Sequence, residues 1–263
     1  MKTLANVKRR LRRTLGFRHA LRSNFRDEKT AVVVHSLHKS ASMFLFKFFD
    51  HVCREIDAPL YSINHAQPNH DSVNQSMDRS FVYCPERSFY VAGFRFPQLK
   101  QRHLFQVRDP RDILVSEYFS LGWRHRDHHW NDAEKQRRET IQTLTIDQYA
   151  IGEAESTKQP LLSRYLPLLA ELEKPTTYVI KYETMVSRFP DWLRTVLPVI
   201  GLKNDGDVDH LARHYRHEFQ PDAGQYAHKR SVAAGDHQRK LQPQTIAILN
   251  ERFRPILSAL GYH

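Results

Sequence analysis

One stretch constrains the fold more than any other. A short β-branched run, Ala31-Val32-Val33-Val34, is followed by a polar loop and then by a segment with helical periodicity. A run so evenly apolar is buried on both faces, as a parallel strand is when helices cover its sheet from either side. The loop is Leu37-His38-Lys39-Ser40-Ala41-Ser42. From Met43 to Ile56, the residues Phe44, Leu45, Phe48, Phe49 and Val52 fall on one helical face. Strand, loop and helix in that order open an α/β unit.

The rest of the chain repeats the alternation. Short apolar runs predict strands at Leu60–Ile63, Phe81–Tyr83, Phe89–Ala92, His103–Val107 and Thr177–Ile180. A helix is predicted from Pro110 to about Leu121. Asp109 caps it, Pro110 suits its first turn, and Asp112 sits at its positive end. Two helices fall between Asp132 and Leu172, and others around Asp191–Ile200 and Val208–His217. The last is Pro243–Leu260, with Ile246, Leu249, Phe253, Ile256, Leu257 and Leu260 at helical spacing. The pattern predicts a three-layer α/β fold: a mostly parallel central sheet with helices on both faces. In such folds ligands bind beyond the carboxyl ends of the strands. The loops after Val34 and Val107 are therefore where chemistry is expected. The polar segment Gln220–Lys240 reads as a long loop.

Charge divides the 263 residues into a basic amphipathic segment, 1–29, and a folded domain, 30–263. The net charge is +11, and residues 1–30 alone carry ten Lys/Arg against Asp27 and Glu28, leaving the body only mildly cationic. Leu4, Val7, Leu11 and Leu15 share a helical face. That segment either lies solvated on the domain or meets an anionic surface, such as a membrane's lipid headgroups or an acidic glycan. Nucleic acid is not expected, because no reading motif accompanies the charge. Cys53 and Cys84 each sit in an apolar run and read as buried free thiols, which suits a reducing compartment. The N-terminus lacks a secretory apolar core and no apolar run reaches 18 residues, so a cytoplasmic, at most membrane-peripheral, protein is expected.

Two constellations point to anions. Lys39 and Ser40 lie in a strand-to-helix loop and Ser42 at the helix start, where backbone N–H groups and the positive helix end favour phosphate or sulfate. The nucleotide-triphosphate loop G-x-x-x-x-G-K-[ST] is not met, since Val33 and His38 stand at its glycines. No carboxylates are placed to hold a metal, and none is expected. The second constellation is Arg108 at a strand end with Ser116 two turns into the next helix, converging on one edge as a dianion site. A competing reading pairs Arg108 with Asp112 to fasten the helix start.

The second stretch resembles the 3′-phosphate motif of the sulfotransferases that use 3′-phosphoadenosine 5′-phosphosulfate (PAPS), R-[DN]-P-x-D-x-x-x-S-x-Y. Arg108, Asp109, Pro110, Asp112, Ser116 and Tyr118 fit it. The first loop resembles that family's 5′-phosphosulfate loop, P-K-[ST]-[GA]-[TS]-[TS]-[WF]. Lys39, Ser40, Ala41, Ser42 and Phe44 fit, His38 replaces the proline, and Met43 replaces a hydroxyl residue. Tyr178 to Glu183 resembles the strand ending in Tyr-Glu, and Arg230 to His237 resembles the late loop R-K-G-x-x-G-D-W. In that loop Ser231 and Val232 replace Lys and Gly, and His237 replaces Trp. The matches run in order over about residues 31 to 262. The resemblance implies a P-loop NTPase-like sulfotransferase fold and PAPS as co-substrate. Lys39 would neutralise the leaving phosphate. Ser40, Ser42 and the loop backbone through Ala41 and Met43 would hold the 5′-phosphate. Arg108, Ser116 and Arg230 would hold the 3′-phosphate, and Phe44 and Tyr182, with Phe219 a weaker candidate, would border the adenine.

A general base should take the acceptor's proton. The family's T-H-x-P histidine is replaced by Arg95 in Phe94-Arg95-Phe96-Pro97, and arginine cannot serve as a base at neutral pH. In other branches the base follows the first helix; here that segment is Tyr61 to His65, which favours His65, with Glu55, His35 and His38 as rivals. Arg95 could instead bind an acidic acceptor. Trp123 to Trp130 interleaves aromatic and basic residues and suits an acceptor mouth for a small molecule or glycan. The alternatives to a sulfotransferase are a kinase-like phosphotransferase and an inactive anion- or glycan-binding relative.

Overall fold

A computed structural model describes residues 21, 23–62, 79–124, 131–157, 160–219 and 233–263. The face shared by Leu4, Val7, Leu11 and Leu15 lies outside them, as do His65 and Arg230. Among these described residues there are five strands, β1 (Thr30–Ser36), β2 (Leu60–Tyr61), β3 (Phe81–Glu86), β4 (Lys100–Val107) and β5 (Thr177–Lys181). They form one sheet of order β2-β3-β1-β4-β5, and every pairing is parallel. The helices are α1 (Ser42–Ile56), α2 (Pro110–Phe119), α3 (Asp132–Thr143), α4 (Ile146–Glu155), α5 (Leu161–Leu169), α6 (Tyr182–Ser187), α7 (Phe189–Val196), α8 (Asp205–Tyr215), α9 (Asp236–Lys240), α10 (Pro243–Arg252) and α11 (Arg254–Leu260).

All of β1 is buried, as its composition requires. Its alternating side chains divide the core. Val32 and Val34 pack with α1, α6, α7 and α8 on one face. Ala31 and Val33 meet Phe94, Phe96 and Leu99 of the 87–99 connection on the other. Beside that connection, α2, α4, α5, α10 and α11 cover Phe105 and Val107 of β4. The chain leaves β1 through α1 towards β2 and β3, then returns across β1 to β4 and leaves through α2 on the opposite face. The winding therefore reverses between β1 and β4, and the carboxyl ends of these two strands frame a crevice.

Several predicted elements need correction. Phe89–Ala92 is not a strand: Phe89 is buried from an irregular loop, against Phe105 and Tyr165, while Tyr90 is exposed. The side chain found its core site without a ladder. The predicted last helix is two, because Pro255 has no N–H to continue the first and instead starts the second. Part of the predicted 220–240 loop is helical, over Asp236–Lys240. The α2 pattern ends at Phe119 and widens into a π turn over Ser120–Arg124. Leu21 and Phe25 are buried in the core under the loop at Gly201, so packing begins before residue 30. Cys53 and Cys84 are free and buried, and burial pushes the Cys53 thiol up to about 12. Among the described residues, no helix is long and apolar enough to cross a membrane.

One buried polar pair joins the sheet to its helical cover. Trp192 of α7 donates its indole N–H to Gln106 Oε1 of β4 at 3.0 Å, and both side chains are fully buried. Trp192→Phe strands that acceptor, so urea denaturation is expected to show a loss on the order of 2 kcal/mol.

Candidate active site

The crevice between β1 and β4 is built from two loops that the sequence singled out. In the first, Lys39 and Ala41 both adopt left-handed backbone, each with φ of 66°. Such a conformation costs a non-glycine residue about 1–3 kcal/mol, and no glycine in the sequence marks it. It turns successive backbone N–H groups to one side, the geometry of an anion-binding nest. Ala41 is also the N-cap of α1 and makes no side-chain cap, so that helix start offers its amides as well. Ser40 is buried, and its Oγ has no hydrogen-bond partner among the described residues. Ser42 is buried and Met43 exposed on the first turn of α1.

Arg108 closes the other side. It is buried, and its Nη1 donates to the carbonyl of Lys39 at 2.8 Å, joining the two loops directly. Its guanidinium lies 4.2 Å from the centroid of the Tyr182 ring. Its Nε has no partner among the described residues. Two buried donors, Ser40 Oγ and Arg108 Nε, are therefore left over in joined loops, each costing about 1–3 kcal/mol unless something accepts from it. An anion fits them.

The Arg108 backbone is held from behind. Its carbonyl accepts from the Tyr165 hydroxyl. The Asp109 N–H donates to Glu183 Oε1 at 2.9 Å, and Glu183 Oε2 accepts from Tyr262 at 3.0 Å. Burial pushes the Glu183 carboxyl up, and these hydrogen bonds and the Arg108 charge offset that only in part. Asp109 caps α2 through the Arg111 N–H and also pairs with the buried Arg111 guanidinium at 2.6 Å. Arg111 continues to Asn250 at 2.5 Å and to the His263 carbonyl at 3.0 Å. Apart from the Asp109 cap, sequence reasoning missed these supports, because the bonds from Tyr165, Glu183, Tyr262, Asn250 and His263 each join positions 57 or more residues apart.

Asp112 does not pair with Arg108 as a helix tie. It accepts from the N–H of Gly235 at 2.8 Å, from the N–H of His237 at 2.9 Å and from His237 Nδ1 at 2.7 Å. Burial alone would raise its pKa, but the His237 bonds and the nearby Arg108 charge outweigh burial and hold it low. The motif aspartate thus anchors the base of the late loop to α2, while Arg230 in that loop lies outside the described residues.

Lys39 reaches across to α2. Its ammonium donates to the Ser120 hydroxyl and lies in the field of Glu117. Burial depresses its pKa to about 8; Glu117 works against that shift and Arg108 adds to it. His38 Nδ1 is 3.9 Å from Glu117 Oε1. Ser116, half-buried, shares this side of the helix with Ser120 four residues on. Glu117 and Ser120 were missed, although the i+4 spacing from Ser116 was a signal that pointed to Ser120.

Other predicted residues lie elsewhere. Phe44 is buried in an aromatic cluster with Phe189, Trp192, Tyr215 and Phe219. Arg95 and Glu55 are exposed. Trp123 is 41% exposed in the π turn beside Tyr118, and residues 125–130 lie outside the described set. His35 is buried, with Nδ1 2.9 Å from the Ser88 carbonyl and Nε2 3.0 Å from His103 Nδ1. Burial first, then His103, lowers its pKa to about 3, against the raising effect of the Ser88 carbonyl. Both ring nitrogens are engaged inside the core, which removes His35 as a candidate base.

No protein family's sequence model matches the chain, and neither does any curated protein sequence. Solved structures do match. The mouse sulfotransferase SULT7A1 complexed with PAP superposes with a TM-score of 0.60 at 14% identity, over 86% of this chain and 85% of that one. Retinol dehydratase in complex with retinol and PAP gives 0.53 at 12% identity, over 89% and 84%. The same enzyme with androsterone and PAP gives 0.51 at 13%, over 86% and 80%. At such identities the likeness is one of fold, and the fold is that of the α/β sulfotransferases.

Proposed function

We propose that this chain, which has the fold of PAP-bound sulfotransferases, transfers a sulfuryl group from PAPS to a hydroxyl or amine of a small molecule. The observation that carries the reading is the direct bond from Arg108 to the Lys39 carbonyl between two loops that each hold a buried donor with no partner among the described residues. Two linked anion pockets suit a nucleotide phosphorylated at both its 3′ and 5′ ends. The retinol and androsterone in the structural relatives support a small-molecule acceptor over a glycan.

The residues then divide the work. The nest at Lys39–Ala41, Ser40, Ser42 and the Met43 amide would hold the 5′-phosphate. Arg108, Ser116 and Arg230 would hold the 3′-phosphate, with Tyr182, and Phe44 from its cluster, on the adenine side. PAPS supplies an activated sulfuryl group, and the protein's part is to place it and to stabilise charge on the leaving oxygen. Lys39 carries that second task. The Ser120 hydroxyl and Glu117 aim its ammonium, and the desolvation that depresses its pKa also strengthens its field.

Calorimetry with adenosine 3′,5′-bisphosphate against ATP tests the reading. Tight bisphosphate binding with weak ATP binding is expected; the reverse would identify a kinase-like enzyme and end the proposal. Arg108→Met is expected to weaken bisphosphate on the order of 100-fold, while leaving 5′-AMP nearly unchanged. Equal losses for both ligands would place the 3′-phosphate elsewhere.

A further inference from the structure

We propose that His38, positioned by Glu117, is the group that takes the acceptor's proton. The inference rests on the sulfotransferase reading and adds a residue to it. Three observations carry it. First, His38 directly precedes Lys39, and both side chains face the same carboxylate. Glu117 Oε1 lies 3.9 Å from His38 Nδ1, and the Glu117 charge acts on the Lys39 ammonium. The imidazole therefore stands beside Lys39 at the loop that would hold the transferring group. Second, access differs across the pair. The His38 side chain is 47% exposed and that of Glu117 11%, so the ring is open to an incoming molecule and backed by a largely buried carboxylate. With Nδ1 turned to Glu117, Nε2 faces away from it as the proton acceptor. Third, neighbouring candidates are unsuited. His35 and His103 bond to each other in the core, and Arg95 cannot act as a base.

Among the described residues, the charged groups that face the imidazole include Glu117 from α2 and, in its own loop, Lys39, which also feels Arg108. In the transfer, the acceptor oxygen or nitrogen forms its bond to sulfur as the bond from sulfur to the 5′-phosphate oxygen breaks. That electron pair leaves on the phosphate oxygen, opposite Lys39. The acceptor's proton moves to His38 Nε2, and the imidazolium is paired with the Glu117 carboxylate until the proton passes to water.

The test uses the full chain and three variants: His38→Gln, Glu117→Gln and His65→Gln. With 2-naphthol as acceptor probe, His38→Gln is expected to lower kcat about 10²–10⁴-fold and to abolish the acid limb of the pH–rate profile, with bisphosphate affinity within about twofold of wild type. Glu117→Gln should give a smaller loss. Independently of turnover, nitrogen-15 spectra of the uncharged His38 ring should show its N–H on Nδ1 in wild type, and a tautomer balance changed by Glu117→Gln. An Nε2–H tautomer indifferent to Glu117→Gln overturns the assignment. So does a limb lost in His65→Gln and kept in His38→Gln. Failure of wild type to bind the bisphosphate is a different result: it overturns the sulfotransferase reading itself.

Discussion

Lys39→Ala is expected to lower kcat for sulfuryl transfer by 10²–10³-fold, on the order of 3 kcal/mol in the barrier, with a much smaller change in donor KM. The asymmetry follows from the site. The nest, Ser40 and Arg108 remain to hold the phosphates in the ground state, whereas charge appears on the leaving oxygen only as the bond breaks. An ammonium placed there acts on the transition state more than on binding. The depressed pKa of about 8 adds a pH signature. In the ligand-free chain Lys39 loses its proton as pH rises through 8, and an anion pulls that proton back. Bisphosphate affinity should therefore fall above pH 8 in wild type and stay flatter in Lys39→Ala. An unchanged kcat in the variant would remove the proposed role of Lys39 on the leaving oxygen.

Acid is expected to cost this fold more than any single substitution at the site. His35 and His103 are buried side by side between β1 and β4. Burial, then the neighbouring ring, holds His35 at about 3. Burial also holds His103 at about 4, with Glu171 pulling upward and Lys174 downward. Both folded-state values lie below the unfolded value of 6.5. The unfolded chain therefore binds more protons than the folded one between those limits, and stability falls as pH falls below 6.5. At pH 5 each ring contributes about 2 kcal/mol, so urea denaturation should show about 4 kcal/mol less stability than at pH 7.5. His103→Gln should remove roughly half of that slope. A pH-independent midpoint over this range would mean that the pair is solvated.

Much of the fold was legible because it rests on local periodicity. The Ala31–Val34 run, the Phe44–Val52 face and the Asp109–Pro110–Asp112 start each report their own element through spacing and capping, which need no knowledge of the rest of the chain. The errors sit where local pattern and tertiary packing part. Phe89 reaches the core from a loop, and Pro255 divides a continuous apolar stripe into two helices.

The site divides in the same way. Residue types and order in the sequence determined that Lys39 and Arg108 lie at the carboxyl ends of two parallel strands. Only the tertiary structure decided that they touch, because the bond between them joins positions 69 residues apart and depends on β1 and β4 being neighbours. It alone decided that Lys39 and Ala41 are left-handed without a glycine to mark them, a strain that only surrounding contacts can hold. It also turned Asp112 from a helix-start charge into the anchor of a loop 123 residues away, and placed Glu117 between His38 and Lys39. Sequence sets which groups are available and which face they occupy; partners far along the chain are fixed only when the core closes.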